Sequence, residues 1–183
     1  MSKKKSVTED NTAKAVEGNN YQTSICSKIN ELDYIMYARS NVTHIYNREK
    51  KLVDIECQIK DKDYIICMEL STSSRDDRIG GKQYHANFTK KAIETEGSKC
   101  LYLYLCPHDK YYEEMGKEIP KNIANNNRCI KKINHRFGIQ YIDFAIKDDE
   151  MKEILSLLHN SKSNNPKYLA NKIRNYLCSK QQI

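Results

Sequence analysis

The sequence has no tryptophan, three prolines and six glycines among 183 residues, too few for a collagen-like or Gly/Pro-rich low-complexity chain. No window approaches the ~20 apolar residues that a membrane-spanning helix needs. The start, Met1-Ser2-Lys3-Lys4-Lys5, runs into polar residues with no apolar segment behind it, unlike a secretory leader. A P-loop, a GxGxxG and a GxSxG are all missing, which leaves nucleotide hydrolysis and serine-esterase chemistry without support. There is no CxxC pair either. The seven cysteines are odd in number and sit mostly inside apolar runs such as Tyr64-Ile65-Ile66-Cys67-Met68, where cysteine behaves as a small hydrophobe. A disulfide scaffold is therefore not expected, and a soluble, unsecreted protein of the reducing cytoplasm is. Cys100, Cys106, His108 and Cys129 lack zinc-ligand spacing, and the first two flank a single apolar run.

What is present suffices for one ordinary domain with a real core: 39% of residues are hydrophobic and 30% charged, which rules out disorder throughout. Thirty-one Lys and Arg against 24 Asp and Glu leave a formal charge of +7, compatible with a polyanionic partner. Residues 1–20 lack periodic apolar positions and read as a mobile basic and polar arm, and residues 21–183 read as a single domain. From Tyr21, Ile25, Ile29, Leu32 and Met36 recur at helical spacing, predicting a helix of roughly 16 residues that ends before Asn41. Two alternating runs follow, Leu52 to Ile59 and Tyr64 to Ser71, joined by the polar loop Lys60-Asp61-Lys62-Asp63 of a β-hairpin. Gln83 to Glu94 reads as a helix and Cys100 to Cys106 as a buried strand stopped by Pro107. A helix around Ile119 to Ile133, a strand from Gly138 to Ala145, and helices at Asp148 to His159 and Pro166 to Cys178 complete the chain. Asp148 or Asp149 suits an N-cap, and Pro166 suits a first helical turn. The order implies an α/β domain, a mixed central sheet flanked by helices.

The hairpin carries the chemistry. Positions equidistant from its turn face one another, which sets Asp54 opposite Glu69. Two like charges about 5 Å apart cost stability unless a cation stands between them, and a divalent metal would serve. Magnesium accepts one or two carboxylates, waters and a substrate phosphate. The alternative is a slipped register, or two acids facing water beside Lys60 or Lys62. An ionised Glu69 at the end of the apolar run Ile65 to Met68 argues for a metal or a basic partner.

Asp54-Ile55, the hairpin, the apolar strand ending in Glu69-Leu70-Ser71, a following helix and the strand Cys100 to Cys106 together resemble the core of a PD-(D/E)XK nuclease. The likeness is stronger to the FokI-type cleavage domain of the small catalytic subunit of heterodimeric type IIS restriction endonucleases. It continues through Tyr141 to Leu158 and Asn165-Pro166-Lys167-Tyr168-Leu169, covering roughly residues 20 to 178. This resemblance implies a restriction-endonuclease-like fold and a site-specific deoxyribonuclease. It implies Mg²⁺, with Mn²⁺ able to substitute, held by Asp54, Glu69 and the Leu70 carbonyl. As partners it implies double-stranded DNA and a larger subunit that recognises the site and cuts the other strand.

Two departures stand out. The usual motif has lysine two positions after the glutamate, where this chain has Ser71; Lys82 could supply the cation, or lie solvated at the surface, and His85 is a weaker substitute. The usual first-helix glutamate is replaced by Gln22 or Thr23, the one acid well inside that helix is Glu31, and Glu56 on the strand of Asp54 is a possible auxiliary ligand. The acid-free cluster Arg128, Lys131, Lys132, His135 and Arg136 would either track a phosphate backbone or form a solvated charged face. With no module for base readout, sequence specificity would come from the partner. The competing reading is a catalytically inactive nucleic-acid-binding or assembly protein that keeps the nuclease-like fold.

Overall fold

A computed structural model describes residues 3–71, 76–106, 116 and 144–180. Its elements run α1 (Lys3–Asn30), β1 (Ile35–Tyr46), β2 (Glu49–Ile59), β3 (Tyr64–Leu70), α2 (Asp76–Thr95), β4 (Lys99–Cys106), β5 (Phe144–Lys147), α3 (Asp148–His159) and α4 (Pro166–Lys180). The five strands form one sheet in the order β1-β2-β3-β4-β5, antiparallel from β1 to β3 and parallel from β3 to β5. The chain is thus an α/β protein with a mixed central sheet flanked by helices, as its pattern of elements implies. Among the described residues no helix is long and apolar enough to cross a membrane.

One face of the sheet is covered by α1, α3 and α4. Tyr21, Ile25 and Ile29 on α1, Met151, Ile154, Leu155 and Leu158 on α3, and Leu169, Ile173 and Leu177 on α4 bury helical stripes against Ile55, Cys57, Ile66, Met68, Leu101, Leu103 and Leu105. The other face carries α2, whose Ala86 and Ile93 pack on Val53, Cys67, Cys100, Tyr102 and Tyr104. β4 is buried from Cys100 to Cys106, which explains its continuous apolar run between two parallel neighbours. Asn165 Oδ1 accepts the Lys167 N–H at 3.0 Å, so Asn165 caps α4 and Pro166 occupies the first helical position. The N-cap of α3 is Lys147, one residue before the expected aspartates, and its N–H donates to the Glu150 carboxylate at 3.1 Å.

Three expectations are corrected. The segment read as a mobile arm is helical from Lys3 and continuous with the part of α1 that enters the core, its described side chains from Thr12 to Asn20 half-exposed or exposed. The helix then stops at Asn30. Leu32 and Met36 extended the helical spacing by coincidence: Met36 is 57% exposed and belongs to a long edge strand, β1. That strand covers neither face cleanly, so it has no period-two signature to read. α2 starts at Asp76, seven residues earlier than expected, because its first turns are polar. The expected helix Ile119 to Ile133, and the expected strand before Phe144, lie outside the described residues.

β1 and β2 are not flat. Period two would send Val53 and Ile55 to one face, yet Val53 packs under α2 and Ile55 under α1. The alternation breaks at residue 54, opposite Asn41, whose φ of 56° lies in the left-handed region between the pairs Ser40↔Ile55 and Val42↔Val53. Beyond that break the outer hairpin, closed by Asn47 and Arg48 at φ 50° and 66°, leans over α2, where Tyr46 meets Phe88 edge-on and the Tyr84 hydroxyl donates to Glu49.

Candidate functional site

The loop Lys60 to Asp63, with Asp61 at φ 61°, sets a register in which Ile55 faces Met68 and Glu56 faces Cys67. The ladder ends at the Ile55–Met68 pair; Asp54 and Glu69 are the next residue on each strand, close enough for the charge of Asp54 to act on Glu69. The Leu70 N–H donates to Asp54 Oδ2 at 2.8 Å. Because the N–H and C=O of one antiparallel strand residue leave on the same edge, the Leu70 carbonyl faces Asp54 as well. From α1, the buried Gln22 side chain donates to the Asp54 main-chain carbonyl and ties the break in β2 to the helix. Thr23, the alternative at this position, is exposed and donates to Asn19 within its own helix. Glu31 is exposed just past the end of α1 and does not join the site.

Glu69 is 1% exposed. Lys82, on the second turn of α2, reaches across to pair with its Oε2, so the cation absent at Ser71 arrives from the following helix. Ser71 is buried, and its N–H donates to the Leu105 carbonyl at 3.0 Å, which fastens the end of β3 to β4. Glu69 Oε1 has no hydrogen-bond partner among the described residues, with His85 Nδ1 at 3.9 Å. Burial raises the Glu69 pKa above its ordinary value and the charge of Asp54 raises it further, while Lys82 and Tyr102 pull it down. Burial holds the His85 imidazole below its ordinary value, assisted by the cations of Lys82 and Lys51 and opposed by Asp54. His85 is thereby kept in its neutral form, able to accept or relay a proton.

Two carboxylates and one ammonium leave this cluster one positive charge short. One oxygen of each acid is committed, Asp54 Oδ2 to Leu70 and Glu69 Oε2 to Lys82. The other Glu69 oxygen is buried near the Tyr102 hydroxyl, and the charge deficit suits a divalent cation held by Asp54, Glu69 and the Leu70 carbonyl. Glu56 does not take part. Its Oε1 accepts from Arg39 Nη2 at 2.7 Å and the Tyr37 hydroxyl at 3.1 Å, and its Oε2 lies 3.0 Å from His44 Nε2, all on β1. Asp54, Glu69, Leu70 and Lys82 are brought together, whereas Arg128, Lys131, Lys132, His135 and Arg136 lie outside the described residues. Lys51, Tyr102 and His44 went unnoticed in the sequence, because each reaches its place through the bend of the outer hairpin or the β3–β4 crossover and has no spacing that marks it.

No protein-family model matches the chain, and no curated protein is significantly similar to it. Among solved structures it is similar to the crystal structure of protein VC1899 from Vibrio cholerae, at 14% identity and a TM-score of 0.37, over 75% of this chain and 31% of that one. The chain thus spans less than a third of that protein, and a likeness this distant says nothing about the site.

Proposed function

We propose that this protein is a Mg²⁺-dependent endonuclease subunit that hydrolyses one strand of double-stranded DNA, directed to its site by a larger recognition subunit, as in type IIS restriction. The observation that carries the reading is Asp54 and Glu69 side by side just past the end of the β2–β3 ladder, with Lys82 delivered onto Glu69. When bound there, Mg²⁺ lowers the pKa of a coordinated water and offsets charge on the phosphoryl oxygens. Asp54, Glu69 and the Leu70 carbonyl would hold the ion. Lys82 orients the Glu69 carboxylate and sets an ammonium at the mouth of the site, where it attracts the scissile phosphate. His85, neutral and beside Glu69, can take a proton from the attacking water. Gln22 holds Asp54 in register.

The same ion pair is what favours the second reading. Lys82 already neutralises Glu69, which suits a nucleic-acid-binding or assembly protein that retains the fold without the chemistry. A plasmid-cleavage experiment separates the two, run with Mg²⁺ or Mn²⁺ and with and without a larger nicking subunit that co-purifies with the protein. The enzyme reading expects the wild type to turn that partner's nicked product into linear DNA and Asp54→Asn to lose at least ~10²-fold in rate with its circular dichroism unchanged. If the wild type and Asp54→Asn both leave nicked DNA uncut while binding the partner, the enzyme reading falls.

A further inference from the structure

We propose that His44, Glu56 and Cys67 form a second metal site, selective for a borderline-soft divalent ion such as zinc and distinct from the Asp54–Glu69 pair. It does not depend on the nuclease reading.

One ligand atom each from His44, Glu56 and Cys67 lies within 4.8 Å of the other two, and all three residues are buried. His44 Nε2 is 3.0 Å from Glu56 Oε2, an ion pair when the imidazole is protonated and a contact that a metal ion would replace when it is neutral. Imidazole nitrogen and carboxylate oxygen lie side by side, the arrangement of two donors sharing a cation. The outer oxygen of Glu56 is fixed by Arg39 and Tyr37, so Oε2 is left facing inward; supports of this kind are usual behind metal ligands. Arg39, 61% exposed, offsets part of the Glu56 charge from the solvent side. From β4, the buried Cys100 packs in the same core cluster as Cys67 beneath α2.

Nitrogen, carboxylate oxygen and one sulfur are three zinc ligands that leave a fourth position for water, and magnesium disfavours thiolate. Binding displaces the thiol proton to solvent and requires neutral imidazole. The location is also specific. Glu56 and Cys67 form the cross-strand pair next to Asp54 and Glu69, about 7 Å deeper along the strands. His44 reaches that rung only because β1 bends at Asn41, so the ion would staple the bent edge strand to β2 and β3 directly behind the acidic pair.

The test is cobalt substitution in the full chain after chelator treatment. One equivalent of Co²⁺ is expected to produce a near-ultraviolet thiolate-to-cobalt charge-transfer band that Zn²⁺ displaces. Cys67→Ser should abolish the band, His44→Gln should weaken cobalt affinity about tenfold or more, and Asp54→Asn should leave it intact. No band, or a band that survives Cys67→Ser, overturns the site. X-ray absorption on the zinc-loaded wild type needs no variant to fold: a sulfur shell near ~2.3 Å is expected, and a shell of nitrogen and oxygen alone refutes the proposal.

Discussion

Glu69 is a carboxyl whose ionisation the fold makes harder. A carboxyl whose folded pKa lies above its unfolded value, as burial and Asp54 impose here, binds its proton more tightly in the folded state. The folded state is therefore favoured at low pH, and stability is lost as pH rises from about 4.3, the ordinary glutamate value, through the raised folded value. Paired and hydrogen-bonded carboxylates usually act in the opposite direction. Urea midpoints across that window should fall for the wild type relative to Glu69→Gln, which cannot ionise, and millimolar Mg²⁺ should remove the difference by favouring the charged form. Parallel pH profiles for the two proteins would mean that Lys82 alone compensates the buried charge.

Among the elements, the β1–β2 hairpin matters most, because its bend at Asn41 decides which side chains face α2. A left-handed φ is tolerated by Asn and Gly and costs a β-branched residue about 1–3 kcal/mol. Asn41→Gly should accordingly unfold within about 0.5 kcal/mol of wild type, whereas Asn41→Val should lose about 1–3 kcal/mol in urea titration. Equal stabilities would mean that the bend is not held at this residue. The same bend explains what could be read from sequence. The Asp54–Glu69 register was legible because a four-residue polar loop between alternating runs leaves one symmetrical pairing. β4 was legible as a continuous apolar run, and the start of α4 from Pro166. β1 was not, since its half-exposed faces carry no period and Met36 extended the helical spacing of α1. The meeting of His44 with Glu56 was equally hidden, twelve residues apart and joined only by a backbone angle that sequence does not display.

Over the whole molecule, the excess of seven positive charges has its acid-free concentration between Arg128 and Arg136. If that cluster follows a phosphate backbone, each contact releases counterions, and the slope of log affinity against log salt steepens by about 0.9 per contact on duplex DNA. Lys131→Ala with Lys132→Ala should weaken DNA binding across all sequences and reduce that slope by about two. An unchanged slope would make the cluster a solvated face.

The connections within the sheet also set a sequence in time. β1, β2 and β3 are joined by tight turns, so their closure loops are short and their pairing is local, whereas β4 joins only after the chain has looped back through α2. On that topology the strands carrying the two acids are expected to pair before β4 docks, while both acids still stand in water where their repulsion is small. Lys82, on the crossover, is then expected to arrive as the pair is buried, so that the counter-charge enters as the dielectric falls.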